Sequence, residues 1–317
     1  MNIHPWLAQP WLLFQQRVKG GRLAHALLVH GPEGTGKLDL AMLMAGSLLC
    51  TGEGGFACGT CRSCALFKSG AHPDWFLLQP LEGKHEILIE QIRSTIAALT
   101  LTTSFSPCKV ALICPAEAMN NNAANALLKS LEEPPGETVL LLVAHDATRL
   151  PVTIRSRCQS IAIPLPERSQ ASSWLQETLG IDSAHAHSAL DAAGGSPLRA
   201  RHFERTGQVE THQTLLSKLS GLLNNPGTVT RVAGELADIE ASALWYWLSS
   251  CSANALQAIL TGETPDWLNN DHTLNPKSLV GLQQNADRNR MLSRTPVRQD
   301  LLLHQWLIKW SRQATTP

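Results

Sequence analysis

The first half of the chain alternates short, almost continuously apolar runs with segments whose apolar residues recur at helical spacing. Five runs are predicted to be strands, at residues 26–29, 75–78, 110–113, 139–143 and 161–163. Helices are predicted at 37–49, 88–101 and 117–131. Strands that are apolar at nearly every position are typical of sheets covered by helices on both faces. The pattern therefore predicts an α/β fold with a parallel sheet and crossover helices.

The second half of the chain shows only helical spacing. Short helices broken at Gly180 and at residues 194–197 are predicted over 166–205. Longer helices are predicted at 212–223, 229–237, 241–260, 276–292 and 297–310. The chain is accordingly predicted to have three parts: an α/β domain over 1–165, a small helical domain over 166–207 and an all-α domain over 208–317.

Composition excludes several classes of protein. With 44% hydrophobic and 16% charged residues, the 317-residue chain is expected to bury a core in about two domains or slightly more. No apolar stretch approaches the ~18 residues of a membrane span, and the first residues do not form a signal peptide. A cytoplasmic protein without membrane contact is predicted. The balance of 26 basic against 26 acidic residues argues against a protein that binds DNA on its own.

A phosphate-loop pattern follows the first predicted strand. Residues 31–38, GPEGTGKL, contain the spacing G-x-x-x-x-G-K, in which backbone N–H groups wrap a phosphate and the lysine reaches its outer oxygens. The candidate nucleotide contacts are Gly31, Gly34, Thr35, Gly36 and Lys37. Leu38 stands where a hydroxyl residue normally holds Mg²⁺. Weak nucleotide binding and no binding both stay open.

The carboxylates that an ATPase needs are missing from the expected place. They should follow a strand beside the phosphate loop, and the predicted strand at 110–113 continues instead into Cys114-Pro115. Glu117 is predicted to begin the next helix, and Glu132-Glu133 to lie at its far end. The chain itself is therefore expected not to be catalytic.

Four cysteines, Cys50, Cys58, Cys61 and Cys64, lie within fifteen residues. In a cytoplasmic protein such thiols are expected to be reduced, and clustered thiols suggest a metal site. Four thiolates hold Zn²⁺ tetrahedrally and leave no position for a substrate, so a structural zinc is predicted. An iron–sulfur cluster and unmetallated thiols are the alternatives.

Five segments together resemble a known family. They are HALLVHGPEGTGK from residue 25, the four-cysteine insertion, HPDWFLLQP from residue 72, NNAANALLKSLEEPPGETVLLLVA from residue 121 and LPVTIRSRCQSI from residue 150. They resemble clamp-loader subunits of bacterial DNA polymerase III, in the AAA+ superfamily. The resemblance implies a RecA-like AAA+ domain with a zinc module at about 50–72, a helical lid at 166–207, and a collar at 208–317 that joins a ring of five subunits.

Single positions carry further implications of this resemblance. Lys37 matches the lysine of the phosphate loop, whereas Cys114-Pro115 occupy the place of the Asp-Glu pair of motor subunits. Ala144-His145 fall where motor subunits have a small polar sensor. Ser156-Arg157-Cys158 matches a Ser-Arg-Cys motif whose arginine faces the ATP of the next subunit, so Arg157 is expected to act in trans. Without the resemblance, Arg157 would be interpreted as part of a solvated basic segment.

The function predicted is that of a non-hydrolysing clamp-loader subunit that helps to load the sliding clamp onto primed DNA, within the ATP-driven DNA polymerase III holoenzyme. The expected cofactors are a structural Zn²⁺ and ATP bound by neighbouring subunits. The expected partners are motor subunits of the gamma/tau type, the delta subunit, the sliding clamp and, through the complex, primer-template DNA. The alternatives are an active motor ATPase of the same family and a phosphotransferase with a zinc-bearing lid.

Overall fold

A computed structural model describes residues 3–52, 56–262, 264–265, 267–268, 274–293 and 295–313. The chain divides into two units. One comprises residues 1–186 and 195–199, and the other residues 187–194 and 200–317. The division of the helical half into a lid over 166–207 and a collar over 208–317 stays a prediction.

The first unit contains, within the described ranges, a parallel sheet of five strands. The strands are β1 (Ala26–His30), β2 (Trp75–Leu78), β3 (Lys109–Ile113), β4 (Thr138–Ala144) and β5 (Gln159–Ala162). Their order across the sheet is β2-β3-β4-β1-β5. In register, Leu28 of β1 lies opposite Leu142 of β4 on one side and Ser160 of β5 on the other. The predicted parallel α/β sheet is confirmed.

The strand order adds a relation that the sequence left open. β4 lies between β3 and β1, the strand that precedes the phosphate loop. Side chains that follow β3 must therefore extend past the end of β4 to act on the phosphate loop, which follows β1. The position of β4 could not be deduced from the apolar runs, because each run fits any place in a sheet that is buried on both faces.

Helices follow the strands in chain order. They are α1 (Ala8–Lys19), α2 (Lys37–Leu49), α3 (Arg62–Lys68), α4 (Ile89–Leu99), α5 (Asn121–Glu132), α6 (Val152–Arg155), α7 (Arg168–Leu179), α8 (Ser183–Ala192), α9 (Pro197–Arg205), α10 (Gln208–Asn224), α11 (Val229–Leu236), α12 (Ala241–Thr261), α13 (Pro276–Leu292) and α14 (Gln299–Ser311). The helices predicted in the second half are confirmed, with ends that shift by a few residues. No helix in the described ranges is long and apolar enough to cross a bilayer.

The helix predicted from residue 117 begins later than expected. The side chain of Asn120 accepts a hydrogen bond from the Ala123 N–H at 2.9 Å and so caps α5 at Asn121. Glu117 lies instead in a separate short turn of 3₁₀ helix, Ala116–Ala118. Glu117 is therefore not part of the surface of α5.

Two apolar layers cover the sheet. Alternate residues of β1 point to opposite faces, so that Leu27 and Val29 join a cluster with Met44 of α2, while Leu28 joins another with Leu127 of α5. Both faces are therefore dry, which explains why the strands are apolar at successive positions. The carboxyl ends of the strands, where the loops begin, carry the polar residues described below.

The described residues of the second unit form helices joined by loops, and the core of this unit contains large aromatic side chains. Trp247, Trp306 and Trp310 are at most 1% exposed. Each indole N–H donates to a backbone carbonyl, from Trp306 to Leu282 at 3.0 Å and from Trp310 to Leu219 at 2.9 Å. These tryptophans thus serve packing between helices.

Candidate functional site

Four cysteine side chains converge where α2 ends and α3 begins. Cys50 caps the C-terminus of α2, and Cys61 caps the N-terminus of α3. The Sγ atoms of Cys50, Cys58, Cys61 and Cys64 all lie within 4.8 Å of one another. Four ligands at ~2.3 Å from a tetrahedral Zn²⁺ are separated by about 3.8 Å. The four thiols predicted as ligands are thus brought together, at a spacing that fits a metal ion.

Backbone N–H groups point at the sulfur atoms of this cluster. The N–H of Cys58 donates to Cys50 Sγ at 3.4 Å, and the N–H of Cys61 donates to Cys58 Sγ at 3.3 Å. The N–H of Cys64 donates to Cys61 Sγ at 3.4 Å and is the largest influence lowering the pKa of that thiol, to about 5. Donors aimed at sulfur stabilise the thiolate form that binds metals. Of the interval proposed as a zinc module, residues 53–55 lie outside the described part.

A buried polar network lies beneath the cysteine cluster. Ser63 is fully buried, donates its hydroxyl hydrogen to the Leu49 carbonyl and lies 2.9 Å from Nε2 of His72. Nδ1 of His72 accepts from the backbone N–H of Asp74 at 3.0 Å, so in the neutral ring Nε2 carries the hydrogen. The Asp74 carboxylate accepts from the N–H of Ser104 at 2.9 Å. The network links the cysteine loop to the start of β2 and to the loop before β3.

This network is not a hydrolytic triad, although it contains a serine, a histidine and an aspartate. Asp74 offers its backbone N–H to His72, while its carboxylate is directed at the backbone of residues 104–106. These backbone hydrogen bonds outweigh burial and lower the pKa of Asp74. The sequence analysis did not identify the network. Its one local signal is a polar HPD segment placed directly before the apolar run of β2.

The phosphate loop connects β1 to α2 with its lysine turned inward. Gly34 and Gly36 take positive φ angles of 76° and 82°, which a left-handed loop requires and which glycine adopts readily. The side chain of Lys37 is 2% exposed, and its Nζ donates to the carbonyl of Pro32 in the same loop at 2.5 Å. Burial lowers the pKa of Lys37 to about 8, while the carboxylate of Glu117 acts in the opposite direction. The ammonium group is therefore bound by its own loop.

Other residues of the same unit cover the loop. The indole N–H of Trp6 donates to the carbonyl of Thr35 at 2.8 Å, and the hydroxyl of Ser196 donates to the carbonyl of Glu33 at 2.7 Å. A Cβ atom at Gly34 would collide with the Ser196 hydroxyl. The five residues offered as nucleotide contacts lie together in the loop, but its carbonyls already have partners in this chain.

The carboxylate that acts on the phosphate loop does not lie directly after β3, where the motif predicts it. It belongs to Glu117 in the following turn. Cys114, which follows β3, is buried and supplies no carboxylate. Glu117 in the following turn accepts the backbone N–H of His145 at 2.9 Å on Oε1, and its Oε2 is buried without a partner in the described structure. The charge of Glu117 acts on Lys37. Sequence reasoning missed this residue, because an acid near a helix start is ordinary.

His145 lies immediately after β4, at the sensor position. Burial and, after it, the nearby Lys37 ammonium lower the pKa of its ring, so the neutral form is favoured. Its Nδ1 is buried and has no hydrogen-bond partner among the described residues. The buried imidazole is larger than the small polar side chain that the resemblance assigns to this place in motor subunits.

Arg157 lies in the turn between α6 and β5. Its Nε and Nη2 both donate to Oε1 of Glu132, at 2.7 and 2.5 Å. Its Nη1 donates to the carbonyl of Thr153 at 3.0 Å and to the Ser156 hydroxyl at 3.4 Å. The side chain is 34% exposed. A cation at the surface of the unit is therefore held in a single orientation by four contacts.

Comparison with known proteins identifies the family. The family model described as "DNA polymerase III, delta subunit" matches residues 7–167. The DNA polymerase III subunit delta' of Pseudomonas aeruginosa is 35% identical over 98% of this chain and 98% of its own length. The chain belongs to the family of DNA polymerase III delta' subunits. The delta' subunit of Yersinia pestis is 31% identical over 100% of this chain and 97% of its own length.

The likeness to delta' subunits spans both units, whereas the family model covers the strands, the four cysteines and the Arg157 turn. A solved structure, the DNA polymerase III gamma subunit-related protein of Thermotoga maritima, covers 96% of this chain and 99% of its own, with 16% identity and a TM-score of 0.46. All the site residues that the sequence singled out lie within residues 7–167, which the family model matches.

Proposed function

We propose that this member of the delta' family is a non-hydrolysing subunit of the clamp loader and helps to load the sliding clamp onto primed DNA. The observation that carries the proposal is the contrast between two cations. Lys37 is bound within its own phosphate loop, whereas Arg157 is held at the surface in one orientation. A chain with that arrangement supplies a group to a neighbour's site and does no chemistry in its own.

The RecA-like AAA+ architecture is part of this proposal. It is supported by the order β2-β3-β4-β1-β5, by parallel pairing throughout the described sheet, and by a phosphate loop between the inner strand β1 and α2. Parallel strands of this kind gather their functional loops at the carboxyl edge of the sheet. Lys37, Glu117 and His145 all lie at that edge.

The absence of hydrolysis follows from the groups at the loop. Phosphoryl transfer needs Mg²⁺ held by a hydroxyl and a carboxylate, and a group that orients water. Leu38 has no oxygen, and Cys114-Pro115 has no carboxylate. Glu117 already accepts the His145 N–H on one oxygen. The chain therefore lacks a complete magnesium site, and nucleotide contacts by Gly31, Gly34, Thr35, Gly36 and Lys37 would at most support binding.

Arg157 is proposed to complete the ATP site of an adjacent motor subunit. The guanidinium group is planar and permanently charged, so it can bind phosphate oxygens in a fixed geometry. In related phosphoryl-transfer enzymes, an arginine supplied by a neighbouring protein stabilises the charge that develops on the transferred phosphate. The exposed fraction of Arg157 and its fixed orientation support this role.

A structural Zn²⁺ is proposed at Cys50, Cys58, Cys61 and Cys64. Four thiolates at this spacing suit a tetrahedral ion, and a closed set of four sulfur ligands leaves no position for water or substrate. When bound, the ion would cross-link the ends of α2 and α3. The residues of this chain that orient the ligands are the backbone N–H donors of the loop and the Ser63–His72 contact beneath it.

The proposed partners are motor subunits of the gamma/tau type, the delta subunit and the sliding clamp, in the cytoplasm. Primer-template DNA is proposed to be contacted through the complex, because the chain has no net charge with which to bind DNA alone. Co-elution with a motor subunit on size exclusion tests the assembly. Elution as a solitary chain would instead favour a phosphotransferase with a zinc-bearing lid.

A further inference from the structure

Glu132 and Arg157 are 25 residues apart in sequence and meet through the guanidinium group. Both backbones are anchored in the same core, because Leu131 beside Glu132 and Ile154 of α6 belong to one buried cluster. Glu132 is the last residue of α5, and Arg157 lies two residues beyond α6, where its backbone N–H donates to the carbonyl of the buried Ile154 at 3.1 Å. Groups on packed elements hold a functional geometry more precisely than groups on loops.

We propose that Glu132 is a positioning residue, which orients the Arg157 guanidinium for the phosphate of a neighbouring subunit. This inference rests on the proposed function of Arg157 in trans. Glu132 itself touches no reacting atom. It acts through Arg157, whose long side chain would otherwise sample many rotamers before meeting a ligand.

The hydrogen-bond pattern supports positioning and leaves room for a ligand. Arginine has five N–H donors. Nε and one N–H of Nη2 are directed at Glu132, and Nη1 is directed at Thr153 and Ser156. Within the described part of the chain, the second N–H of Nη2 has no partner and is available to a phosphate oxygen. Glu132 on one side and Thr153 and Ser156 on the other fix the plane of the guanidinium group. These contacts therefore also fix the direction of the remaining N–H.

Stability is not the role of this ion pair. The two side chains are 34% and 51% exposed, and exposed ion pairs add little to the free energy of unfolding. Loss of Glu132 should accordingly leave the unfolding midpoint of the chain nearly unchanged. An effect on turnover without an effect on stability would therefore report on the orientation of Arg157.

The test uses the complex assembled from this chain, its motor subunits and the clamp, with primed DNA and Mg·ATP. Glu132→Ala is expected to lower kcat about tenfold, the size of one coupling between contacting residues, while KM for ATP changes little. Glu132→Gln keeps an acceptor oxygen and should retain more of kcat. Glu133→Ala is the matched control, because it removes the same charge from the next, exposed residue and should leave kcat unchanged.

A double-mutant cycle separates positioning from a general effect. In an Arg157→Ala background, Glu132→Ala should cause no further loss, since the group that it orients is gone. An equal loss in both backgrounds, a loss with Glu133→Ala, or a glutamine variant as impaired as the alanine variant would overturn the proposal. If Arg157→Ala lowers kcat and Glu132→Ala does not, only the positioning role is wrong. If Arg157→Ala has no effect, the proposed function fails with it.

Discussion

Two cationic side chains of the first unit, Lys37 and Arg157, differ in where their charge is used. Lys37 is 2% exposed and donates to a carbonyl of its own loop, whereas the side chain of Arg157 is 34% exposed and pairs with a carboxylate at the surface. Both positions match a motif in the sequence. The comparison shows that a retained motif residue does not by itself indicate an active site, because its neighbours decide whether the charge is accessible.

The acidic partners of the two cations differ as well. The charge of Glu117, in the turn after β3, acts on Lys37, and its carboxylate also accepts a hydrogen bond from the backbone N–H of His145. Glu132 binds Arg157 directly and is itself half-exposed. One carboxylate therefore acts on its cation through charge alone, whereas the other binds its cation directly. Substitution of the two cations tests this contrast.

Arg157→Ala should cause the largest loss, in the DNA-stimulated ATPase of the assembled complex. An arginine finger changes turnover by ~10³–10⁵ at the site that it serves, and the loss for the whole ring is expected to be smaller because other sites remain. Arg149→Ala is the control for bulk charge and is preferable to Arg155→Ala, since Nε of Arg155 is buried. Equal losses of ATPase activity in the Arg149 and Arg157 variants would show that Arg157 contributes only positive surface charge.

Cys61→Ser should release the metal ion and destabilise the region between α2 and α3, because metal binding at such sites is coupled to folding. Elemental analysis and thermal unfolding measure the two effects. Cys158→Ser is the control for metal content, since Cys158 lies outside the four-cysteine cluster. A Cys61→Ser chain that keeps one zinc ion, or a native chain that contains iron, would contradict the proposed site.

Lys37→Met tests the buried cation through the pH dependence of stability. The pKa of Lys37 falls from 10.5 in the unfolded chain to about 8 in the folded one. Between these values the unfolded state binds more protons, so the free energy of unfolding should rise with pH relative to the Met variant, by about 3 kcal/mol at most. Urea unfolding of both proteins at pH 7 and pH 10 measures the change. If the difference in free energy of unfolding between the two proteins stays constant with pH, Lys37 is not desolvated in the folded chain.

The smallest effect is expected from Lys37→Met in the assembled complex. If Lys37 serves only its own closed loop, ATPase and clamp loading should change less than about twofold, within the range of a substitution that does not touch the reaction. The isolated chain should show no steady-state turnover of Mg·ATP, with or without the substitution. A loss comparable to that of Arg157→Ala would place Lys37 in a working nucleotide site. It would contradict the proposed difference between Lys37 and Arg157.

Much of the fold followed from local pattern. The strands and most helices were predicted within a few residues, because strands appear as short apolar runs and helices as apolar residues at helical spacing. The start of α5 was misplaced, since the cap at Asn120 depends on one side-chain bond that apolar spacing does not record. The Ser63–His72–Asp74 network was missed for a related reason: its members serve contacts with residues 104–106, some 30 positions away.

Local sequence patterns were sufficient to predict the parallel α/β class, the helical second half, the four clustered cysteines and the lack of a carboxylate at residues 114–115, because each depends on residues that are close in the chain. The folded chain was needed to show that β4 separates β3 from β1, that the charge of Glu117 acts on Lys37, and that Glu132 binds Arg157. These relations join residues far apart in sequence. They are set by the order of the strands and by the packing of α5 and α6 on the sheet, which apolar spacing along a single segment does not encode.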